Sequence, residues 1–313
     1  MKIIFFGTPE FGATILGNLI KKSFKPVLVI TAPDKPAGRG KKITSSPVKK
    51  LALKHRIKVF QPEKLSDKAI QLIEQLKPEL GVLASYGKIL PAKLIEIFPK
   101  GIINVHPSLL PKYRGPSPVS EAILQGEEKT GVTLALLTPK VDAGPILSQE
   151  EIPISPKDTT PRLTKKLALL GSKVLLQVLP LYLKGSLKLR KQDEEQATYT
   201  HLIIKKQGQI NWRKSATFLD RQIRAFTGWP GSFTFWKKNS KKIRLQIIKA
   251  RAETLGYHFL EPGRVFLDKD KNLSVACKRG YLVIEKIKPE GKRKLSAQEF
   301  LNGYPEIIDQ ILG

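Results

Sequence analysis

The sequence predicts an α/β chain in which a doubly wound, mostly parallel sheet is followed by a smaller, OB-like β-barrel domain. Three observations carry this expectation. Short apolar runs alternate with amphipathic stretches over the first 150 residues, a polar segment without period begins near Gly185, and beyond it short strand-like runs follow one another between turn residues. At 313 residues the chain has room for about two domains. With 41% hydrophobic and 26% charged residues, disorder is excluded as the dominant state.

Period and punctuation place the elements in order. Lys2 to Phe6, Pro26 to Thr31, Lys58 to Phe60, Leu80 to Ala84 and Gly101 to Val105 are short apolar runs, the pattern of strands buried on both faces. Pro9 to Lys22, Pro47 to Arg56, Asp67 to Leu76 and Pro91 to Phe98 have helical character, and three of them open on a proline that suits a first helical turn. Such alternation implies right-handed crossovers, with ligands bound at the carboxyl ends of the strands where strand order reverses. Val132 to Leu137 is a further strand.

The apolar stretch Leu163 to Leu183 is interrupted by Lys165, Lys166, Lys173, Gln177 and Pro180. Its Leu163, Leu167, Leu170, Val174, Val178 and Leu181 recur at three- and four-residue steps, which predicts a core-packed amphipathic helix and no membrane span. Residues 1–185 therefore form one expected domain, 186–204 a linker of mixed charge, and 205–313 a second domain. In the second, Ser232 to Trp236, Ile243 to Ile248, Gly263 to Phe266, Leu273 to Ala276 and Tyr281 to Ile287 are the expected barrel strands.

Charge narrows the function. The chain carries 55 Lys and Arg against 27 Asp and Glu, a net +28. A surplus of that size calls for an anionic partner, with nucleic acid ahead of acidic lipid and phosphorylated metabolites; a source rich in lysine throughout is the alternative. From Lys205 onward there are 23 basic and 10 acidic residues, so charge is denser in the second domain. The single cysteine, Cys277, excludes a disulfide within the chain, and the four histidines (His55, His106, His201, His258) are scattered, so no metal is expected. The opening MKIIFFGTPEFG has one lysine before a run too short for a signal peptide, and a cytoplasmic chain is expected.

Several chemistries lack their motif. Gly7-Thr8-Pro9-Glu10-Phe11-Gly12 is not GxGxxG, and neither a P-loop nor a GxSxG nucleophile elbow occurs. What remains is Gly101 to Pro111, GIINVHPSLLP, in which Asn104 and His106 stand two apart at the end of an apolar run. On a strand both project from one face, where an amide and an imidazole can donate to one oxygen; a turn cap beside a satisfied polar side chain fits the same spacing. Asp142 lies in the Val141-Asp142-Ala143-Gly144 segment, either as a simple turn residue or as a carboxylate that orients and charges His106.

Two regions suit nucleic acid. Arg39 lies between two glycines with Lys35, Lys41 and Lys42 close by and only Asp34 opposing, a loop able to press a guanidinium on phosphate or base edges, or a solvated basic turn. In the second domain Trp212, Phe226, Trp229, Phe233, Phe235 and Trp236 are interleaved with basic residues that include Lys237 and Lys238. The rings are expected in the core and the charges on phosphates. Lys292, Arg293 and Lys294 form a further cluster that suits phosphate or a solvated turn.

INVHPSLLPKYRGPSP, a following GVT strand and VDAG together resemble the catalytic core of the folate-dependent N-formyltransferases. PDKPAGRGKK (33–42), Ile210-Asn211-Trp212 and IRAFTGWPG (223–231) are similar, in the same order, to the branch of that family that formylates charged tRNA. The resemblance implies transfer of formyl from 10-formyltetrahydrofolate to the α-amino group of initiator methionyl-tRNA, by a monomer acting without metal or membrane. It implies catalytic roles for Asn104, His106 and Asp142, and folate contacts from Ser108, Leu109, Leu110 and Pro111 and from the Tyr86 to Pro91 segment with Tyr86, Gly87 and Ile89. The Arg39 loop, with Lys35, Lys41 and Lys42, would clasp the end of the acceptor stem. Two positions depart from that branch: Tyr113-Arg114-Gly115 replaces the commoner Trp-Arg-Gly, and Pro139 to Pro145 drifts toward the glycinamide ribonucleotide enzymes. Formylation of a small amine, and RNA binding without catalysis, are the competing functions.

Overall fold

The structure is a computed structural model describing residues 1–37, 42–254 and 260–313. Among these the chain runs β1 (Ile3–Gly7), α1 (Glu10–Lys21), β2 (Leu28–Ile30), β3 (Lys35–Ala37), β4 (Lys42–Thr44), α2 (Pro47–Lys54), β5 (Lys58–Phe60), α3 (Asp67–Glu74), β6 (Leu80–Ala84), α4 (Ala92–Glu96) and β7 (Ile102–His106). It continues with α5 (Pro118–Gln125), β8 (Lys129–Leu136), β9 (Ile146–Pro153), α6 (Thr160–Leu183), α7 (Ala216–Ala225), β10 (Ser232–Lys238), β11 (Lys241–Glu253), β12 (Val265–Leu267), β13 (Leu273–Ala276), β14 (Tyr281–Pro289), β15 (Leu295–Ser296) and α8 (Ala297–Gly303). Contacts divide it into two compact units: Met1–Pro118, Lys129–Pro153 and Leu163–His201 form the first, and Val119–Glu128, Ile154–Arg162 and Leu202–Gly313 the second.

The first unit holds a seven-stranded sheet in the order β5-β2-β1-β6-β7-β8-β9. The first five of these strands are mutually parallel, whereas β8 and β9 run antiparallel. The expected strands and helices up to His106 are all present within a few residues, and Ser46 and Ser66 cap α2 and α3 through their hydroxyls. Strand order reverses at β1, where the Thr8 N–H donates to the Ser85 carbonyl (3.1 Å) and its hydroxyl to the Tyr86 carbonyl (3.0 Å). Strand β9 was not expected. It is an edge strand whose Gln149, Glu150 and Glu151 blur the alternation of a one-sided strand.

One face of this sheet carries Ile4, Phe6, Leu28, Ile30 and Ile102 into a core with Ile70, Ile73, Leu94 and Phe98. Helix α6 is long and apolar enough to cross a membrane by length and composition alone. From Leu163 onward its stripe of Leu167, Gly171, Val174, Leu175 and Val178 is buried, and Gly171 sits so close to Val105 and Val132 that α6 lies against β7 and β8.

The segment expected as a linker is fixed to the first unit as far as His201. Arg190 exchanges backbone hydrogen bonds with Ile146 (2.7 and 3.0 Å), and Arg114 forms a parallel bridge with Tyr199.

The second unit is built on a six-stranded antiparallel sheet, β10-β11-β14-β13-β12 with β15 beside β14, which curls into a half-barrel. The long β11 serves both neighbours and changes register against β14 through an irregularity at Ile247 to Ala250. Trp212, Phe226, Phe233 and Trp236 are buried, as expected of core rings, whereas Trp229 is 63% exposed. The Trp212 indole N–H is satisfied by the Thr234 hydroxyl (3.0 Å).

Phe300 on α8 is fully buried and stacks on Tyr304 with centroids 5.0 Å apart. Phe300→Ala should therefore cost about 3–5 kcal/mol in urea denaturation. A loss under about 1 kcal/mol would show that this packing is dispensable.

Candidate active site

Strand β7 is central, paired in parallel with β6 and antiparallel with β8. Because strand side chains alternate, Asn104 and His106 leave β7 on the same face, and each residue is only 5% exposed. The third group arrives from a loop. The Leu137 N–H donates to the Ile102 carbonyl (2.8 Å), and the chain then doubles back along β7 to bring Asp142 to the two side chains.

Asn104 Nδ2 donates to Asp142 Oδ1 at 2.9 Å, and His106 Nδ1 lies 3.6 Å from Asp142 Oδ2. The same Oδ2 accepts the Gly115 N–H (2.8 Å), and His106 Nε2 faces the Tyr113 carbonyl at 3.0 Å. The three residues singled out in the sequence thus meet in one nearly buried cluster. Local backbone makes this possible at a cost, since Asp142 has φ +48° and Tyr113 φ +61°, both in the left-handed region. At Gly144 a Cβ would collide with the Leu136 carbonyl, so only glycine lets the loop press on the end of β8.

The loop expected to contact folate follows directly. Thr133 on β8 donates its hydroxyl proton to the Ser108 carbonyl (2.7 Å) and accepts the Leu110 N–H (3.0 Å), while Gln149 donates to the Leu110 carbonyl (2.6 Å). Ser108 and Leu110 are buried, with the Ser108 hydroxyl donating to the Lys112 carbonyl (2.7 Å), whereas Leu109 and Pro111 are half-buried. In the second segment, Tyr86 is turned into the core, edge-on to Phe6 at 5.8 Å. Its hydroxyl has no hydrogen-bond partner, and burial pushes its pKa up to about 12. Gly87 and Ile89 are exposed.

Residues missed in the sequence hold this cluster in place. The side chain of Arg114 is 0% exposed. It donates from Nη2 to Glu194 Oε1 (2.8 Å) and from Nε and Nη2 to Gln192 Oε1 (3.1 and 2.8 Å), and from Nη1 to the Tyr199 hydroxyl (3.0 Å). The Thr198 hydroxyl accepts the Tyr113 N–H (2.8 Å), and the Thr198 carbonyl the Arg114 N–H (2.8 Å). Arg114 itself was visible as a departure-flanked motif residue, but its partners lie about 80 positions away in a stretch with a tether's composition.

The basic residues expected at nucleic acid are scattered over both units. Lys35 is exposed on β3, which pairs with β4; Lys42 begins β4, and Arg39 and Lys41 lie outside the described residues. Asp34 at the foot of this hairpin is engaged with Lys49 Nζ (2.6 Å), Gln61 Nε2 (2.9 Å) and the Ser45 hydroxyl (3.1 Å), and Lys49 holds its carboxyl below the usual range. Lys237, Lys292 and Lys294 are exposed, while Lys238 pairs with Glu306 and Arg293 with Glu299 (2.8 Å). Among the described residues no cluster of three or more His, Cys, Asp and Glu side chains is arranged to hold a metal ion.

With fold and site in view, comparison with known proteins defines the class. Residues 1–179 match the formyl transferase family and residues 202–305 the formyl transferase C-terminal domain, and the chain belongs to the formyl transferases. Among curated relatives it is 41% identical to the methionyl-tRNA formyltransferase of Enterococcus faecalis, over 98% of this chain and 97% of that protein. The methionyl-tRNA formyltransferase of Methylococcus capsulatus is also 41% identical, over 97% of each chain. Among solved structures, the N-formyltransferase of Helicobacter canadensis, in complex with folinic acid and dTDP-3-aminofucose, shares the fold with a TM-score of 0.67 at 22% identity, covering 94% of this chain and 100% of that one. HypX from Aquifex aeolicus, solved with tetrahydrofolic acid, gives 0.64 at 17% identity over 98% of this chain and 48% of its own.

The Glu194 carboxyl is held down from its ordinary 4.5 to about 2, first by Arg114 and then by Lys140. A carboxyl whose folded value lies below its unfolded one stabilises fully above about pH 5, and that stability is lost as pH falls toward 2. Glu194→Gln should make the acid-side loss of stability shallower over this window, as read by denaturation at stepped pH. Parallel slopes for the two proteins would count against the pairing.

Proposed function

We propose that this chain transfers the formyl group of 10-formyltetrahydrofolate to the α-amino group of initiator methionyl-tRNA by direct attack of the amine. The observation that carries the reading is the convergence of Asn104, His106 and Asp142 at the end of β7, in a chain that aligns over nearly its whole length with methionyl-tRNA formyltransferases.

The amine lone pair attacks the formyl carbon, and the carbonyl electrons move onto oxygen. Asn104 has two N–H groups, and the one not spent on Asp142 Oδ1 donates to this oxyanion. His106 adds a second donor from Nε2, whose partner in the structure is the Tyr113 carbonyl that the formyl oxygen replaces. Donors fixed in advance, in a site shielded from water, are commonly the largest part of such catalysis. The carboxylate of Asp142 orients the ring of His106 and takes the ammonium proton of the intermediate, directly or through water. Collapse of the oxyanion breaks the bond to N10, which leaves with the proton taken from the ammonium and passed on from Asp142 through water, so that the carboxylate is restored and no acyl-enzyme forms.

Ser108 to Pro111 and the Tyr86 to Ile89 segment line the donor side. Ser108, Leu110 and Tyr86 act there through the backbone shape they stabilise, and Leu109, Pro111, Gly87 and Ile89 by surface. The tRNA is gathered by the +28 chain, with Arg39, Lys35, Lys41 and Lys42 on the acceptor end and Lys237, Lys238, Lys292, Arg293 and Lys294 on phosphates. The chain acts as a cytoplasmic monomer in this reading.

Replacing Asn104, His106 or Asp142 by Ala should lower turnover roughly 100-fold or more with the fold retained. Labelled formyl transfer would be followed to initiator methionyl-tRNA and, in parallel, to glycinamide ribonucleotide and an amino-sugar nucleotide; transfer only to a small amine refutes the tRNA assignment. Affinity for tRNA should fall steeply with salt as contacted phosphates regain counterions. A flat salt response would detach the positive charge from tRNA binding.

A further inference from the structure

We infer that Gln192 is a positioning residue for formyl transfer, whose side-chain amide ties buried Arg114 to the backbone that presents Asp142. The role of Asp142 in this inference rests on the reading above; the way in which Asp142 is held does not.

Every hydrogen-bonding position of the Gln192 carboxamide is occupied. Its Oε1 accepts from Arg114 Nε (3.1 Å) and Nη2 (2.8 Å), and its Nε2 donates to the carbonyls of Asp142 (2.8 Å) and Gly144 (2.7 Å). Those carbonyls bracket the turn in which Asp142 takes φ +48°, a conformation that an L residue keeps only when its surroundings impose it. The carboxylate of the same residue accepts the N–H of Gly115, the residue after Arg114. The contacts therefore close a ring: Arg114 side chain, Gln192, Asp142 backbone, Asp142 carboxylate, Gly115 and back to Arg114.

Closure of this ring sets where Oδ2 stands against His106 Nδ1, now 3.6 Å away. Only a carboxamide of this length offers two acceptor sites toward the guanidinium and two donors toward the carbonyls. A carboxylate would satisfy Arg114 at least as well and would present no donor to the loop. That asymmetry separates positioning from simple neutralisation of a buried charge.

The test compares Gln192→Glu, which keeps the Arg114 contacts, with Gln192→Met, which has similar length and neither function. Formyl transfer to methionyl-tRNA should lose on the order of 10- to 100-fold in kcat in both variants, with KM for tRNA and for donor within about twofold of wild type. Exchange of the Gly115 amide, followed by NMR, should quicken in both. Wild-type kcat and wild-type Gly115 protection in Gln192→Glu would overturn the inference, leaving Gln192 as a partner for charge alone. If the unaltered chain formylates no acceptor, the functional reading fails, yet the exchange comparison still decides whether Gln192 holds Asp142. Should Gln192→Met not fold, Gln192→Glu decides alone.

Discussion

A guanidinium withdrawn from water persists only where its N–H groups find acceptors and its charge a counter-charge, and Arg114 meets that demand with a side chain wholly out of solvent. The requirement organises much of the first unit. Glu194, Gln192 and Tyr199 are drawn onto the loop that follows β7, and the backbone of Thr198 and Thr200 then pairs with Pro111 and Arg114. Only with that loop fixed do the Tyr113 carbonyl and the Gly115 N–H stand where His106 and Asp142 meet them. Charge compensation in one place thereby determines geometry in another.

The site divides its labour between stiff and strained parts. Asn104 and His106 belong to a strand paired on both sides, so their separation follows from the pleat. Asp142 belongs to a turn with an unfavourable backbone, pressed on β8 where a single hydrogen atom at Gly144 leaves room. Such strain tends to gather at functional positions because surrounding contacts must over-determine them. Here the over-determination is visible, since the carboxylate and carbonyl of Asp142 and the carbonyl of Gly144 each have a named partner.

How far the sequence discloses this depends on the range of each interaction. Five residues such as Ile102 to His106, apolar and then polar, announce a buried strand with functional groups at its end, and the Asn-x-His spacing places them on one face. Nothing in Val132 to Leu136 tells that β8 runs antiparallel, because pairing direction is a property of two segments. Gly185 to Thr200 has no hydrophobic period, so its composition describes a tether; what binds it is a cation near residue 114. Likewise Ser108 and Tyr86 are legible as members of a motif, whereas their inward orientation depends on Thr133, Gln149 and Phe6.

The foot of the β3–β4 hairpin has a different kind of consequence. Asp34 is bound to Ser45 across the hairpin and to Lys49 and Gln61 beside it, so β3 and β4 start from a clamped base. Closing a loop grows costlier only with the logarithm of its length, about 0.6 kcal/mol for each doubling. Residues added to a hairpin anchored in this way are expected to cost little, with the contacts of Asp34 keeping the addition from the sheet that carries Asn104. The nine-residue turn around Asp142 has no such freedom, for there a change of length would carry the carboxylate out of the ring that holds it.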